Sequence, residues 1–305
     1  MPNMAIMTFT EQLTEVSKWC LLMLVALAIF DVLFARKFQG RYFILHVIAN
    51  SAITYHCIPE FLDFLTDPVA AVVSREGSLV PLGFVFAIHF YHMMPFLGFK
   101  LYYVDWLHHI LMVVIACPLL MFTGSGKTMN FTFLFICGIP GGLDYLMLVL
   151  VKEKVMKPLT EKRYNNILQI WMRAPFINIS VWLLIMQTFE HRKDEYGLNT
   201  FQILCRVFCG GITYWNCNYF MERVCGNYYV TARKLRDTMK ENKGKEKKDR
   251  VEIESYANPE DLRKKVLDDD VDQHPIPDSM QVPGHARNVR FGALSKVWEF
   301  IRVGS

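Results

Sequence analysis

The chain alternates between long apolar runs and short polar stretches. A run of about 20 apolar residues in a helix matches the roughly 30 Å hydrocarbon thickness of a bilayer. Seven such runs lie near 17–34, 42–65, 79–99, 101–122, 131–151, 167–189 and 201–221. The expected fold class is therefore all-α, a polytopic membrane helix bundle of about seven transmembrane helices. The second run is the most diluted, by His46, Asn50, His56, Pro59 and Glu60. Only the corner from Gly98 to Lys100 separates the third run from the fourth, which predicts a tight antiparallel hairpin, with Pro95 kinking or ending the earlier helix.

Charge gives these runs an orientation, because lysine and arginine accumulate on the cytosolic loops of membrane proteins. Arg36, Lys37 and Arg41 fall in one loop, Lys152, Lys154, Lys157, Lys162 and Arg163 in another, and a third basic group begins at Arg233. With Lys100 these share one side. The opposite side holds Lys18, Arg75, Lys127, Arg192 and Lys193, and one of its loops is acidic through Glu60, Asp63, Asp67 and Glu76. Seven spans with the N-terminus out and the C-terminus cytosolic satisfy this pattern, whereas six would put a basic loop on the wrong side. Glu11 and Glu15 precede the first basic residue, Lys18, so the first run is expected to remain as a signal anchor rather than be cleaved.

Three regions follow: residues 1–40 with the signal-anchor helix, a transmembrane domain over 41–230, and a charged, mostly disordered cytosolic tail over 231–305. The basic stretch from Arg233 to Arg250 suits an anionic leaflet better than nucleic acid, which is not an expected partner. Near the end, Leu294, Val297, Trp298 and Ile301 recur at three- and four-residue spacing. That predicts a short amphipathic helix over 292–303, resting on the membrane or on a partner, although incidental apolar residues in a tail read equally well.

Composition agrees: 52% of the 305 residues are hydrophobic, against the roughly 45–50% usual in soluble domains even with glycine counted. Seven of the eight cysteines lie in apolar runs and none has metal-site spacing, so they read as buried thiols. The stretch GSGKT at Gly124 imitates a phosphate-binding loop, but that motif needs a glycine five places before Gly126, where Met121 stands. Asn130 opens a glycosylation sequon, NFT, that lies against the membrane.

Ionisable groups at membrane depth are expensive and tend to persist only with a partner or a function. Six of the nine histidines, His46, His56, His89, His92, His108 and His109, fall in three consecutive runs. On a helix His89 and His92 share a face, and Asp105 precedes His108 and His109 by one turn, so that its carboxylate would fix the tautomer of either ring. Asp144 and Arg173 lie in successive runs and are expected to neutralise one another. The stretch CGIPGG from Cys137 should break or kink its helix.

From Arg41 to about Phe189 the order of these features resembles the TLC-domain superfamily, which includes the ceramide synthases. The resemblance rests on RYFILHVIANSAITYH, HFYHMM, the acid-led double histidine DWLHHILM, and the interrupted helix FICGIPGGLDYL, about half the chain. It implies an integral membrane protein of lipid metabolism in the endoplasmic reticulum or another endomembrane, and a lipid acyltransferase with acyl-coenzyme A as co-substrate. His108 or His109 would then be general base or nucleophile, oriented by Asp105, while His89, Tyr91, His92, His46, Asp144 and Arg173 would line the substrate chamber. No metal and no bound cofactor is expected. The longer ceramide-synthase signature around the paired histidines is missing, and where the elongases carry the first histidine of HxxHH this chain has Asp105. A non-catalytic lipid-binding or scaffold protein is the competing reading, with membrane lipids as partners in both and self-association left open.

Overall fold

The computed structural model describes residues 7–193 and 197–243. Every regular element among them is helical. Helix α1 (Phe9–Leu33) begins at a Thr8 cap whose hydroxyl accepts from the Glu11 N–H, while the Glu11 carboxylate takes the Thr8 N–H in return. Helix α2 (Arg41–Thr66) is followed by the short α3 (Pro68–Val73) and by α4 (Val80–Met93). Gly98, at φ +76°, makes the corner that returns the chain into α5 (Tyr103–His108), a conformation open to glycine because it has no Cβ. After α5 come α6 (Cys117–Phe122), α7 (Gly126–Phe133), α8 (Ile139–Lys152), α9 (Pro158–Leu168), α10 (Ala174–Lys193) and α11 (Thr200–Lys243).

Three of these joins are π-helical. The segments His109–Ala116, Leu134–Gly138 and Gln169–Arg173 connect α5 to α6, α7 to α8 and α9 to α10 as continuous rods. Each ends the same way: the N–H of Cys117, Ile139 and Ala174 bonds five residues back, to Met112, Leu134 and Gln169. The next residue is in every case a proline: Pro118, Pro140 and Pro175. Proline lacks the N–H and its ring clashes with the carbonyl four residues earlier. A wider turn just upstream relieves that clash without breaking the rod.

All seven expected runs fall on helices, and among the described residues four helical stretches are long and apolar enough to cross a membrane by length and composition: Phe9–Lys37, Tyr103–Phe122, Gly126–Lys152 and Pro158–Lys193. Helix α4 is apolar but has 14 residues, about 21 Å of rise. The outer surface carries apolar side chains such as Leu21, Leu22, Ile29, Trp171 and Trp182, while Asp31, His46, Asn50, His109, Gln187 and Arg206 are buried. That inversion of a soluble protein is compatible with an integral membrane protein. Helix α11 runs on through Lys243, so the charged stretch from Arg233 to Lys243, expected to be disordered, is helical. The amphipathic helix expected over 292–303 lies outside the described residues.

Helix α1 packs on α4 as part of the same compact unit. Gly83 permits this, since a Cβ there would come within 2.7 Å of the Trp19 Cβ. One buried ion-pair cluster ties three helices together at the end nearest Arg41. The guanidinium grips Asp31 of α1 through Nε at 2.7 Å and Nη2 at 2.5 Å, and Tyr91 of α4 donates its hydroxyl to the same carboxylate at 2.9 Å. Arg41 also reaches Leu97 O at 3.0 Å and lies over the Phe99 ring. At the other end, Glu60 takes the Ser78 N–H at 2.5 Å and the Asn130 amide at 2.8 Å. Asn130, the sequon residue, is thus fully buried and engaged. Gly126 of the GSGKT stretch is also structural, for a Cβ there would lie 2.6 Å from Ser74 O.

Candidate functional site

Five of the six histidines of the second, third and fourth apolar runs gather at one place. His46 comes from α2, His89 and His92 from α4, and His108 and His109 from the junction of α5 with the first π segment. Ring centroids lie 4.9 Å apart for His46 and His92, 4.8 Å for His92 and His109, 5.1 Å for His89 and His109, and 5.9 Å for His89 and His108. Tyr42 and Tyr145 close the His46 side at 4.2 and 4.4 Å. His56 stands apart, edge-on to Phe84.

Hydrogen bonds assign most of the protons. A carbonyl can only accept, so a ring nitrogen held against one must carry hydrogen. His46 Nδ1 lies 2.8 Å from Tyr42 O and His89 Nδ1 2.7 Å from Val85 O, in each case one turn back along the helix. His109 Nδ1 bonds Asp105 O in the same way. His108 Nδ1 donates to Asn216 Oδ1 of α11 at 3.1 Å, a tautomer set by the amide orientation that places the oxygen there. These four rings, when neutral, keep Nε2 as a lone-pair nitrogen. His92 completes the pattern: its Nε2 is 2.6 Å from His109 Nε2, so the hydrogen between them belongs to His92, which donates. Its Nδ1 is buried without a hydrogen-bond partner.

The expected roles shift accordingly. The Asp105 carboxylate touches neither histidine; it takes the Tyr102 N–H at 2.9 Å and caps α5, while the Asp105 backbone oxygen holds His109. Asn216 does for His108 what the carboxylate was expected to do. Tyr91, expected to line the chamber, spends its hydroxyl on Asp31. Asp144 accepts from Asn165 at 2.8 Å, and the hydroxyl-bearing ring beside His46 is its neighbour Tyr145. Arg173 makes no ion pair with Asp144 among the described residues, although each lies within the other's electrostatic reach. A small pocket walled by Leu120, Thr128, Ser180 and Thr213 involves none of the histidines.

Sequence reasoning missed Tyr42 and Tyr145, which stand four and one residues from His46 and Asp144, and found Asn216 only as a polar group in an apolar run. Among the described residues no three His, Cys, Asp or Glu side chains are disposed to hold a metal ion. Two of the imidazoles already use their Nε2 atoms on each other. Comparison of the chain with protein-family models, with curated proteins and with solved structures gave no match in any of the three.

Proposed function

We propose that the chain is a seven-span lipid acyltransferase of an endomembrane, with its C-terminus cytosolic, whose base is His108. The observation that carries this reading is the oriented ring: His108 Nδ1–H is committed to Asn216, which leaves Nε2 as the proton acceptor. His108 Nε2 takes the proton from the hydroxyl or amine of an acyl acceptor. The acceptor atom attacks the thioester carbonyl of acyl-coenzyme A, the C–S bond breaks, and the departing thiolate receives the proton from the His108 imidazolium. Asn216 Oδ1 holds the Nδ1–H throughout. His109, expected as an alternative base, has its lone pair occupied by His92 and serves to position the cluster. Lying five to nine residues inside α2, His46 and Asn50 are about 8–14 Å from its Arg41 end, which basic loops mark as cytosolic and so accessible to coenzyme A. The similarity of DWLHHILM and the surrounding order to the TLC-domain superfamily supports the same reaction class.

The competing reading, a lipid-binding protein without turnover, is favoured by the packing of the rings against one another. Incubating the purified protein with acyl-coenzyme A and its co-purified lipids decides between them. Release of free coenzyme A thiol, lost in His108→Ala, supports the transferase. An exchangeable lipid with no thiol release supports the binder.

A further inference from the structure

The Thr128 side chain of α7 is 1% exposed, and its hydroxyl has no hydrogen-bond partner among the described residues. A threonine or serine inside a helix commonly donates to the carbonyl three or four residues back. Thr132 and Ser180 do so, to Thr128 O at 3.0 Å and Phe176 O at 2.9 Å. For Thr128 the two corresponding carbonyls are already engaged. Gly124 O takes the Arg206 guanidinium at 3.0 Å, and Ser125 O takes the Gln187 amide at 3.2 Å as well as the Thr128 N–H. Two buried polar side chains, from α11 and α10, thus hold the oxygens that this hydroxyl would otherwise use.

Thr128 instead lines the small pocket where α6, α7, α10 and α11 meet. On the α11 side stands Gly210, where a Cβ would lie 3.7 Å from Val181 Cγ1 and 3.8 Å from Leu184 Cδ2, ordinary contact distances. The pocket has room for the centre of a water molecule and little more. Its wall offers both halves of a hydrogen-bonding site. The Thr128 hydroxyl has a hydrogen to give, while Ser180 and Thr132, which have spent theirs on carbonyls, keep lone pairs to receive one. An apolar guest of that size would leave Thr128 unpaired at a cost in free energy that a water avoids.

We infer that one ordered water molecule occupies this pocket, accepting from the Thr128 hydroxyl and donating to the side-chain oxygens of Ser180 and Thr132. It ties α7 to α10 beside α11, next to Thr213 and so one turn before Asn216 on that helix. The inference is independent of the reaction proposed for His108.

The test uses the full-length protein in nanodiscs. A cryo-EM map that resolves ordered waters elsewhere in the bundle should show a peak within about 3 Å of Thr128 Oγ1, and the peak should be gone in Gly210→Ala, whose methyl takes its place. Thermal unfolding reads the same water separately. Gly210→Ala should lower the midpoint by about 2–4 °C, because displacing the water orphans the Thr128 hydroxyl, even though alanine is the better helix former. In a Thr128→Val background there is no hydroxyl to orphan, and the same change should raise the midpoint. This reversal of sign separates a water from a plain void, which a methyl would fill favourably in both backgrounds. A rise of equal size in both backgrounds overturns the inference, as does a pocket without density in a map that shows other waters. Density for a lipid chain in the pocket overturns it too.

Discussion

His108 and Asn216 stand 108 residues apart in the chain, and their side chains meet at 3.1 Å between the α5–α6 rod and α11. An amide oxygen thus holds the imidazole where a carboxylate was expected from the sequence. The contact fixes the ring's tautomer without adding a negative charge to the bundle interior, where a further carboxylate would be costly.

Replacing Asn216 by Leu should lower kcat for thiol release by about 10²-fold, within the range of general-base contributions, with KM little changed. The His108 N–H then loses its acceptor, so thermal unfolding should show a cost of about 1–3 kcal/mol. An unchanged kcat would remove Asn216 from the mechanism.

Asp105→Asn should behave quite differently. Its carboxylate serves a helix N-terminus and not an imidazole. Activity should stay within about twofold and stability should fall by about 0.5–2 kcal/mol at most, the range for losing a cap. A loss of turnover comparable to that of His108→Ala would show that the carboxylate reaches the cluster during the reaction.

His109→Ala strands the Nε2–H of His92, whereas His92→Ala strands the Nε2 lone pair of His109, and a buried acceptor without a donor is better tolerated than an orphaned N–H. Differential scanning measurements in detergent should find the former less stable, by about 1–3 kcal/mol. Equal stabilities would argue that the proton between the two rings is placed otherwise.

At the Arg41 end, Asp31→Ala leaves Arg41 without its carboxylate and should cost roughly 3–5 kcal/mol, whereas Tyr91→Phe removes one donor and should cost about 1 kcal/mol. The ratio between these two losses, read from thermal unfolding, checks whether the ion pair or the hydroxyl carries the junction of α1, α2 and α4.

In sealed microsomes, external protease should remove an epitope placed after Ser305 and spare one placed before Met4. Protection of the C-terminal epitope would refute the seven-span orientation.

The helices were legible because about 20 apolar residues in a row admit few alternatives, and the histidine cluster because so many ionisable rings in three adjacent runs need a common reason. Partners distant in sequence were less legible. Nothing near His108 announces Asn216, and Asp105, three residues after Tyr102, is as well placed to cap a helix as to touch a histidine one turn on. Tyr91 sits beside His92 in the sequence but on another face of α4, where Asp31 claims it. The π segments were hidden because a bond to the fifth residue back leaves no hydrophobic period of its own. The three prolines that close them were visible, but only Pro140 was read as an interruption.

Those segments also set where the interior tolerates a change in chain length. A wide turn holds a residue that an α-helix would not need, and one residue corresponds to about 100° of rotation around the axis. The bulge takes up that rotation within its own turn, so deleting Ile136 would give back an ordinary turn and leave Gly141 facing Asn50, while setting the Pro140 ring against the carbonyl four residues earlier. Deleting Leu146 in the α-helical part of α8 would instead swing everything beyond it by about 100°. Single-residue deletions just ahead of Pro118, Pro140 or Pro175 should therefore disturb the facing of the interior less than deletions in the middle of the helix that follows.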